Sequence, residues 1–307
     1  MSVLVVGSVA LDSVRTPFGS ADEVVGGSAV FFSAAASLFT PVQVVGVVGP
    51  DYPRDDLGFL AERGVDLDGI EITEGESFRW AGEYSYDLNS RETLDTRLGV
   101  FADFQPRIPE AFCSPRIVFL GNIHPSLQAS VLDQVERPEL VACDTMNFWI
   151  TGARDDLEAL LARVDLLMVN DEETRQLADE PNLVRAVRWI QERGPRAVVV
   201  KKGEHGAMLF HDDEIFFVPG YPLEDVRDPT GAGDSFAGGF LGYLASIGHW
   251  DAGAWRRAMV YGSVTGSFAV ADFSIERFRS LTRDQVAERA RLFRRLTAVE
   301  FEVADAV

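Results

Sequence analysis

The chain has 307 residues and is 47% hydrophobic, enough for a sizeable core and too apolar for a disordered chain. Its 48 acidic residues against 28 basic ones leave a net charge of −20, a surface that repels nucleic acid and anionic membranes and excludes both as partners. No apolar run reaches membrane-spanning length, and Cys113 and Cys143 make neither a disulfide framework nor a metal site, so a cytoplasmic protein is expected.

The opening "MSVLVVGSVALDSV" is apolar but lacks a basic leader and cleavage site, and it reads as a first buried strand over Leu4 to Gly7. A small-residue helix, "GGSAVFFSAAASLF", and a second strand, Pro41 to Gly49, follow, then a helix in "DDLGFLAERGV". Residues 70–101 break this rhythm with β-like alternation, polar turns and aromatics, which predicts a small antiparallel sheet outside the main one. Short apolar strands return at "RIVFLG", "LVACD", "DLLMVN" and "RAVVVKKG", most followed by helical patterns such as "LVRAVRWIQERG". Helices are expected over about 230–247, 252–268 and 283–297. Continuous apolar strands alternating with helices imply a parallel sheet covered on both faces.

Neither common nucleotide loop is present. The chain has no Gly-Lys pair, and Gly7 is followed by Ser8, Val9 and Ala10 rather than by the glycines of a dinucleotide fingerprint. "DPTGAGDSF" offers another solution. Gly231, Ala232 and Gly233 let backbone N–H groups converge at a helix N-terminus, a place that stabilises negative charge. A travelling phosphoryl group carries such charge on its equatorial oxygens. Asp234 would repel that group, so its place is beside the attacking hydroxyl, whose proton it can accept. The competing reading is a glycine-rich turn with Asp234 as a helix cap.

The string "DPTGAGDSFAGGF" resembles the C-terminal signature of the PfkB/ribokinase family of small-molecule kinases, and further matches span almost the whole chain in order. The resemblance implies one domain over residues 1–307. Its fold would be a ribokinase-like three-layer α/β/α sandwich with a mostly parallel sheet and a small β-sheet lid, the lid drawn from about 10–25 and 70–101. It places Asp234 as catalytic base, Gly231, Ala232 and Gly233 as the anion hole, and Thr230 beside the nucleotide phosphates. Gly26 and Gly27 match the glycine pair whose backbone approaches the substrate, and Asp12 matches the acid that grips substrate hydroxyls. Asn170 and Glu173 in "NDEE" match a motif that helps place magnesium and phosphate, Glu173 through water; a helix start rich in acids is the competing account. Gly203 and Gly206 in "KKGEHG" match a nucleotide-lining turn, with Lys201 within reach of phosphate. Gly262 and Ser263 are expected near the adenine.

Strand ends bind ligands in open α/β sheets, so Asp144 and Asn147 in "ACDTMNFW" are candidates for the substrate region, against a capping role. Two departures bear on the substrate. Phe31 stands where ribokinases carry asparagine, either facing a ring or filling the core, and Ala10 replaces a second asparagine. The expected reaction is ATP-dependent, magnesium-assisted phosphorylation of an alcohol on a sugar or sugar-like molecule. A nucleoside is the alternative acceptor, encouraged by Trp80, Tyr84 and Tyr86, and an idle ligand sensor on the same fold is the alternative from another class. Some family members bind potassium near the anion hole, where Asp228 is placed to contribute although Pro229 interrupts the pattern. Homodimers through the lid are common among relatives. Lys201 and Lys202 are the only lysines, which suits either a high-salt cytoplasm or arginine-rich codon usage.

Overall fold

The computed structural model describes residues 2–298. Thirteen strands run in chain order as β1 Val3–Val6, β2 Ala10–Thr16, β3 Gly19–Gly26, β4 Val42–Val48, β5 Val65–Ile72, β6 Phe78–Tyr84, β7 Arg91–Arg97, β8 Ile117–Leu120, β9 Leu140–Asp144, β10 Leu166–Asn170, β11 Ala197–Lys201, β12 Ala207–His211 and β13 Glu214–Val218. Nine of them form one sheet in the order β13-β12-β11-β10-β9-β8-β1-β4-β5. The seven from β11 to β5 are mutually parallel, and β12 and β13 close one edge as an antiparallel hairpin.

Both faces of this sheet are covered, which is why β1 and β8 are apolar throughout and β9, β10 and β11 are apolar up to their last residue. Val3 and Val5 face one core with Phe31, Phe32, Phe240 and Trp255, while Leu4 and Val6 face the other with Leu157, Leu161, Val187 and Ile190. The result is the expected three-layer α/β/α arrangement.

Small residues set the spacing on the first face. Helix Ala232–Ser246 lies between helices Ser28–Ala36 and Ala252–Ala269. A β-carbon on Gly238 would stand 2.3 Å from the Phe32 carbonyl oxygen, and one on Gly239 would stand 2.1 Å from Thr265 Oγ1. The glycines that follow the phosphate-loop string therefore let three helices close on one another.

The second sheet is the lid, in the order β3-β2-β6-β7. The chain leaves the main sheet after β1, and three residues later β2 begins the lid. The expected lid limits need one adjustment. Ile70–Ile72 complete β5, paired with Gly46–Val48 at the edge of the main sheet, and the lid hairpin proper is β6–β7. Alternation alone does not separate an edge strand from a lid strand, because both carry one polar face. Helix Arg283–Thr297 has the expected limits and opens with a capping box between Thr282 and Gln285.

Candidate active site

The phosphate-loop string folds as a turn locked from below. Buried Asp228 accepts the Thr230 N–H at 2.8 Å. Gly231 then takes a left-handed φ of 72° at the cap of helix Ala232–Ser246, with the Phe31 ring where a side chain would begin. The Ala232 N–H is engaged with the Pro229 carbonyl at 3.2 Å, and the Ser235 N–H closes on Gly231 at 2.8 Å. Among the described residues, the N–H groups of Gly231 and Gly233 have no protein acceptor, as a helix start leaves them. Asp234 stands in the first turn. Burial and the nearby charge of Asp144 push its carboxyl up to about 7, against the opposing pull of Lys201 and Arg91.

Asp12 approaches from the lid side, next to a register shift between β2 and β3 that falls between Asp12 and Val14. Gly26 has no β-carbon because Asp12 Oδ2 lies 2.0 Å from where it would be. Gly27, at φ 96°, brings its backbone N–H to the same carboxylate. Burial raises Asp12 to about 7, the Gly27 bond opposes this, and the charges of Asp228 and Asp234 add to the rise. The charge of Asp234 thus reaches Asp12, and two buried, raised acids near one another are the pattern that marks functional sites.

The C-terminal ends of β9, β10 and β11 supply the opposite wall, because parallel pairing aligns them: Met168 is level with Asp144, and Asn170 with Lys201. Lys201 Nζ bonds Asp144 Oδ2 at 3.0 Å and lies 3.0 Å from where a side chain on Gly233 would begin. Burial pulls the Lys201 ammonium down, but Asp144, Glu173 and Asp234 outweigh it and the net shift is upward. Asn170 and Glu173 form a full capping box, with N–H···O distances of 2.8 and 2.7 Å. The cap bond favours the charged form of Glu173, but burial and Asp144 outweigh it and raise its carboxyl to about 7. Three acids facing one lysine leave an excess of negative charge that a bound cation would offset. Among the described residues no three acidic, histidine or cysteine side chains are grouped closely enough to ligate a metal ion directly.

The lid hairpin closes over this wall. Thr230 Oγ1 donates to Tyr84 Oη at 3.2 Å, and Asn89 Nδ2 donates to Glu204 Oε1 at 3.3 Å. Gly203, at φ 54°, leaves 3.1 Å between Asn89 Oδ1 and its missing β-carbon, and Gly206, at φ 95°, turns the chain back into β12.

Other expected residues sit elsewhere. Phe31 is 2% exposed and backs Gly231, so its ring fills the core rather than the hollow. Asn147 is exposed at the start of helix Asn147–Gly152, and Asp144 is the residue of that segment which enters the site. Gly262 makes room for the Phe236 ring, and the Ser263 hydroxyl donates to the Pro219 carbonyl, so both serve helix packing in this state. The sequence points to Asp144, Lys201 and Tyr84 one by one but does not pair them with their partners, and Asn89 has no signal beyond the polar character of the lid segment.

A family model described as pfkB family carbohydrate kinase matches residues 3–276. The ATP-dependent ribose-1-phosphate kinase of Halopiger xanaduensis is 31% identical over 280 residues, covering 82% of this chain and 87% of that protein. The cytidine kinase of Thermococcus kodakarensis is 27% identical over 250 residues, covering 78% and 87%. Among solved structures, the nucleoside kinase of Methanocaldococcus jannaschii, a member of the ribokinase family, superposes with a TM-score of 0.76 at 20% identity over 95% of this chain and 98% of that one.

Proposed function

The chain belongs to the pfkB family of carbohydrate kinases, and on that premise we propose that Asp234 is the base that activates the acceptor alcohol. The protein is an ATP-dependent phosphotransferase acting on an alcohol group of a sugar or nucleoside. The observation that carries the finer reading is the pair of buried, raised carboxyls, Asp12 from the lid side and Asp234 from the loop, close enough for the charge of Asp234 to bear on Asp12. Asp12 accepts hydroxyls of the acceptor ring, with Gly26 and Gly27 giving the backbone room to approach. Asp234 accepts the proton of the hydroxyl that attacks, and a carboxyl tuned to about 7 suits general base work near neutral pH. The open N–H groups of Gly231 and Gly233, at the positive end of their helix, hold the charge of the travelling phosphoryl group.

Lys201 and Thr230 flank the nucleotide phosphates, and the turn at Gly203 and Gly206 lines the nucleotide. Gly262 and Ser263 lie on the helix expected to border the adenine. Asn170 and Glu173 would hold nucleotide-borne magnesium through water, which fits the raised Glu173 and the lack, among the described residues, of a direct ligand cluster. When bound, it neutralises charge on the phosphate oxygens. A monovalent cation beside Asp228, whose carboxyl burial pushes up, is part of the proposal and is tested by turnover with and without potassium. Leu94 and Leu98, on the exposed outer edge of the lid, are the surface proposed for self-association, tested by sedimentation.

We place a sugar or sugar phosphate first as acceptor. Two of the lid aromatics are otherwise engaged, Trp80 against Gly82 and Tyr84 with Thr230, and Tyr86 is 87% exposed. A nucleoside is the second reading, favoured by the relatives that carry that name. The test is ATP-coupled turnover with free sugars, ribose 1-phosphate and nucleosides. Turnover with nucleosides alone reverses the order, and turnover with none removes the kinase reading in favour of an idle sensor.

A further inference from the structure

We propose that Arg91, in the lid, is a catalytic residue of the phosphoryl transfer, brought by hairpin β6–β7 to the oxygens of the travelling group. The proposal rests on the kinase reading above.

The first observation is what Arg91 lacks. The other two arginines of the hairpin are tied to carboxylates. Arg79 pairs with Glu23 at 2.8 Å and Asp51 at 2.7 Å, and Arg97 pairs with Asp95 at 3.2 Å and lies 3.8 Å from Glu23. Among the described residues Arg91 has no carboxylate within 4.0 Å, in a chain with 48 acidic residues. Its guanidinium is instead held over the Trp80 ring, 5.0 Å from the centroid, and bonds the Tyr84 hydroxyl, which fixes its plane while no carboxylate occupies its fork.

The second observation is where that donor set stands. Arg91 pairs across the hairpin with Tyr84. The Tyr84 hydroxyl bonds Thr230, the residue before the Gly231 loop, and Asn89, two residues before Arg91, reaches the Gly203–Glu204 turn. The hairpin end is thus latched to the nucleotide side of the site at two points flanking Arg91. From there its charge opposes the upward shift of Asp12, Glu173 and Asp234, so it stands near all three site acids.

The chemistry fits this place. A forked guanidinium binds two phosphoryl oxygens at once, while a carboxylate at the same spot would compete for it. Leaving Arg91 without an acid keeps it available, and carrying it on the lid makes full stabilisation conditional on closure.

The test compares steady-state kinetics of the wild type, Arg91→Ala, Arg91→Lys and Arg97→Ala with the best acceptor of the panel, after thermal melts establish that each variant is folded. We expect kcat of Arg91→Ala to fall by about 10²- to 10³-fold with a much smaller change in acceptor KM. Added guanidinium should restore part of that loss, Arg91→Lys should fall in between, and Arg97→Ala should stay near the wild type. A purely structural Arg91 would show no guanidinium rescue. If Arg91→Ala keeps kcat within about threefold of an active wild type, or loses kcat without rescue, the proposal is overturned while the kinase reading stands. If the wild type turns over no acceptor at all, the kinase reading fails, and this proposal with it.

Discussion

In its proposed role Asp234 serves chemistry at a cost to folding. Its carboxyl, like those of Asp12 and Glu173, holds its proton more tightly in the folded chain than in the unfolded one. Stability from such groups is fully present below the ordinary carboxylate range and is lost as pH rises through about 7. The melting temperature of the ligand-free protein should therefore fall between pH 5 and pH 8, and Asp234→Asn should reduce that fall. The same variant should lose about 10²- to 10⁴-fold in kcat while still binding ATP, measured by calorimetry alongside turnover. Because the base works deprotonated, kcat should rise with pH along a limb centred near 7. A flat profile from pH 5.5 to 8.5 would contradict the assignment of Asp234.

At the scale of elements, the phosphate loop depends on how closely its helix meets its neighbours. Gly238→Val would drive a side chain into the Phe32 backbone oxygen, which cannot swing away as a side chain does. A loss of about 1–3 kcal/mol is expected in urea unfolding, with Gly248→Ala, where a β-carbon meets open space, as the neutral control. The lid makes a separate prediction. Tyr84→Phe removes the hydroxyl that ties hairpin β6–β7 to Thr230. Closure should become less complete, and ATP hydrolysis without acceptor should rise relative to acceptor phosphorylation. An unchanged ratio would show that the latch does not govern water exclusion.

Across the whole molecule, the charge of −20 makes the folded state repel itself, and salt relieves that repulsion. The melting temperature should rise from low ionic strength to about 1 M sodium chloride, where the screening length falls to about 3 Å. No rise would mean that local pairs such as Lys201–Asp144 already compensate. The overall architecture was legible because its signals are local: apolar strands, helix periods, and "DPTGAGDSF" with acid and glycines in one string. The contacts that complete the site are not local. Asp144 and Lys201 are 57 positions apart, Asn89 and Glu204 are 115 apart, and Tyr84 and Thr230 are 146 apart. No pattern within one segment encodes such pairs. The same gap hides the packing contacts of Phe31 with Gly231 and of Gly262 with Phe236.

The central claim is that Asp234 activates an alcohol on a sugar-like ring for attack on ATP. The most direct test is ADP release by the wild type and by Asp234→Asn across sugars, ribose 1-phosphate and nucleosides, with magnesium present. The account predicts that at least one acceptor stimulates ADP release by the wild type and is itself phosphorylated, and that Asp234→Asn abolishes both. Equal turnover in the two proteins, or no acceptor that stimulates either, would contradict it.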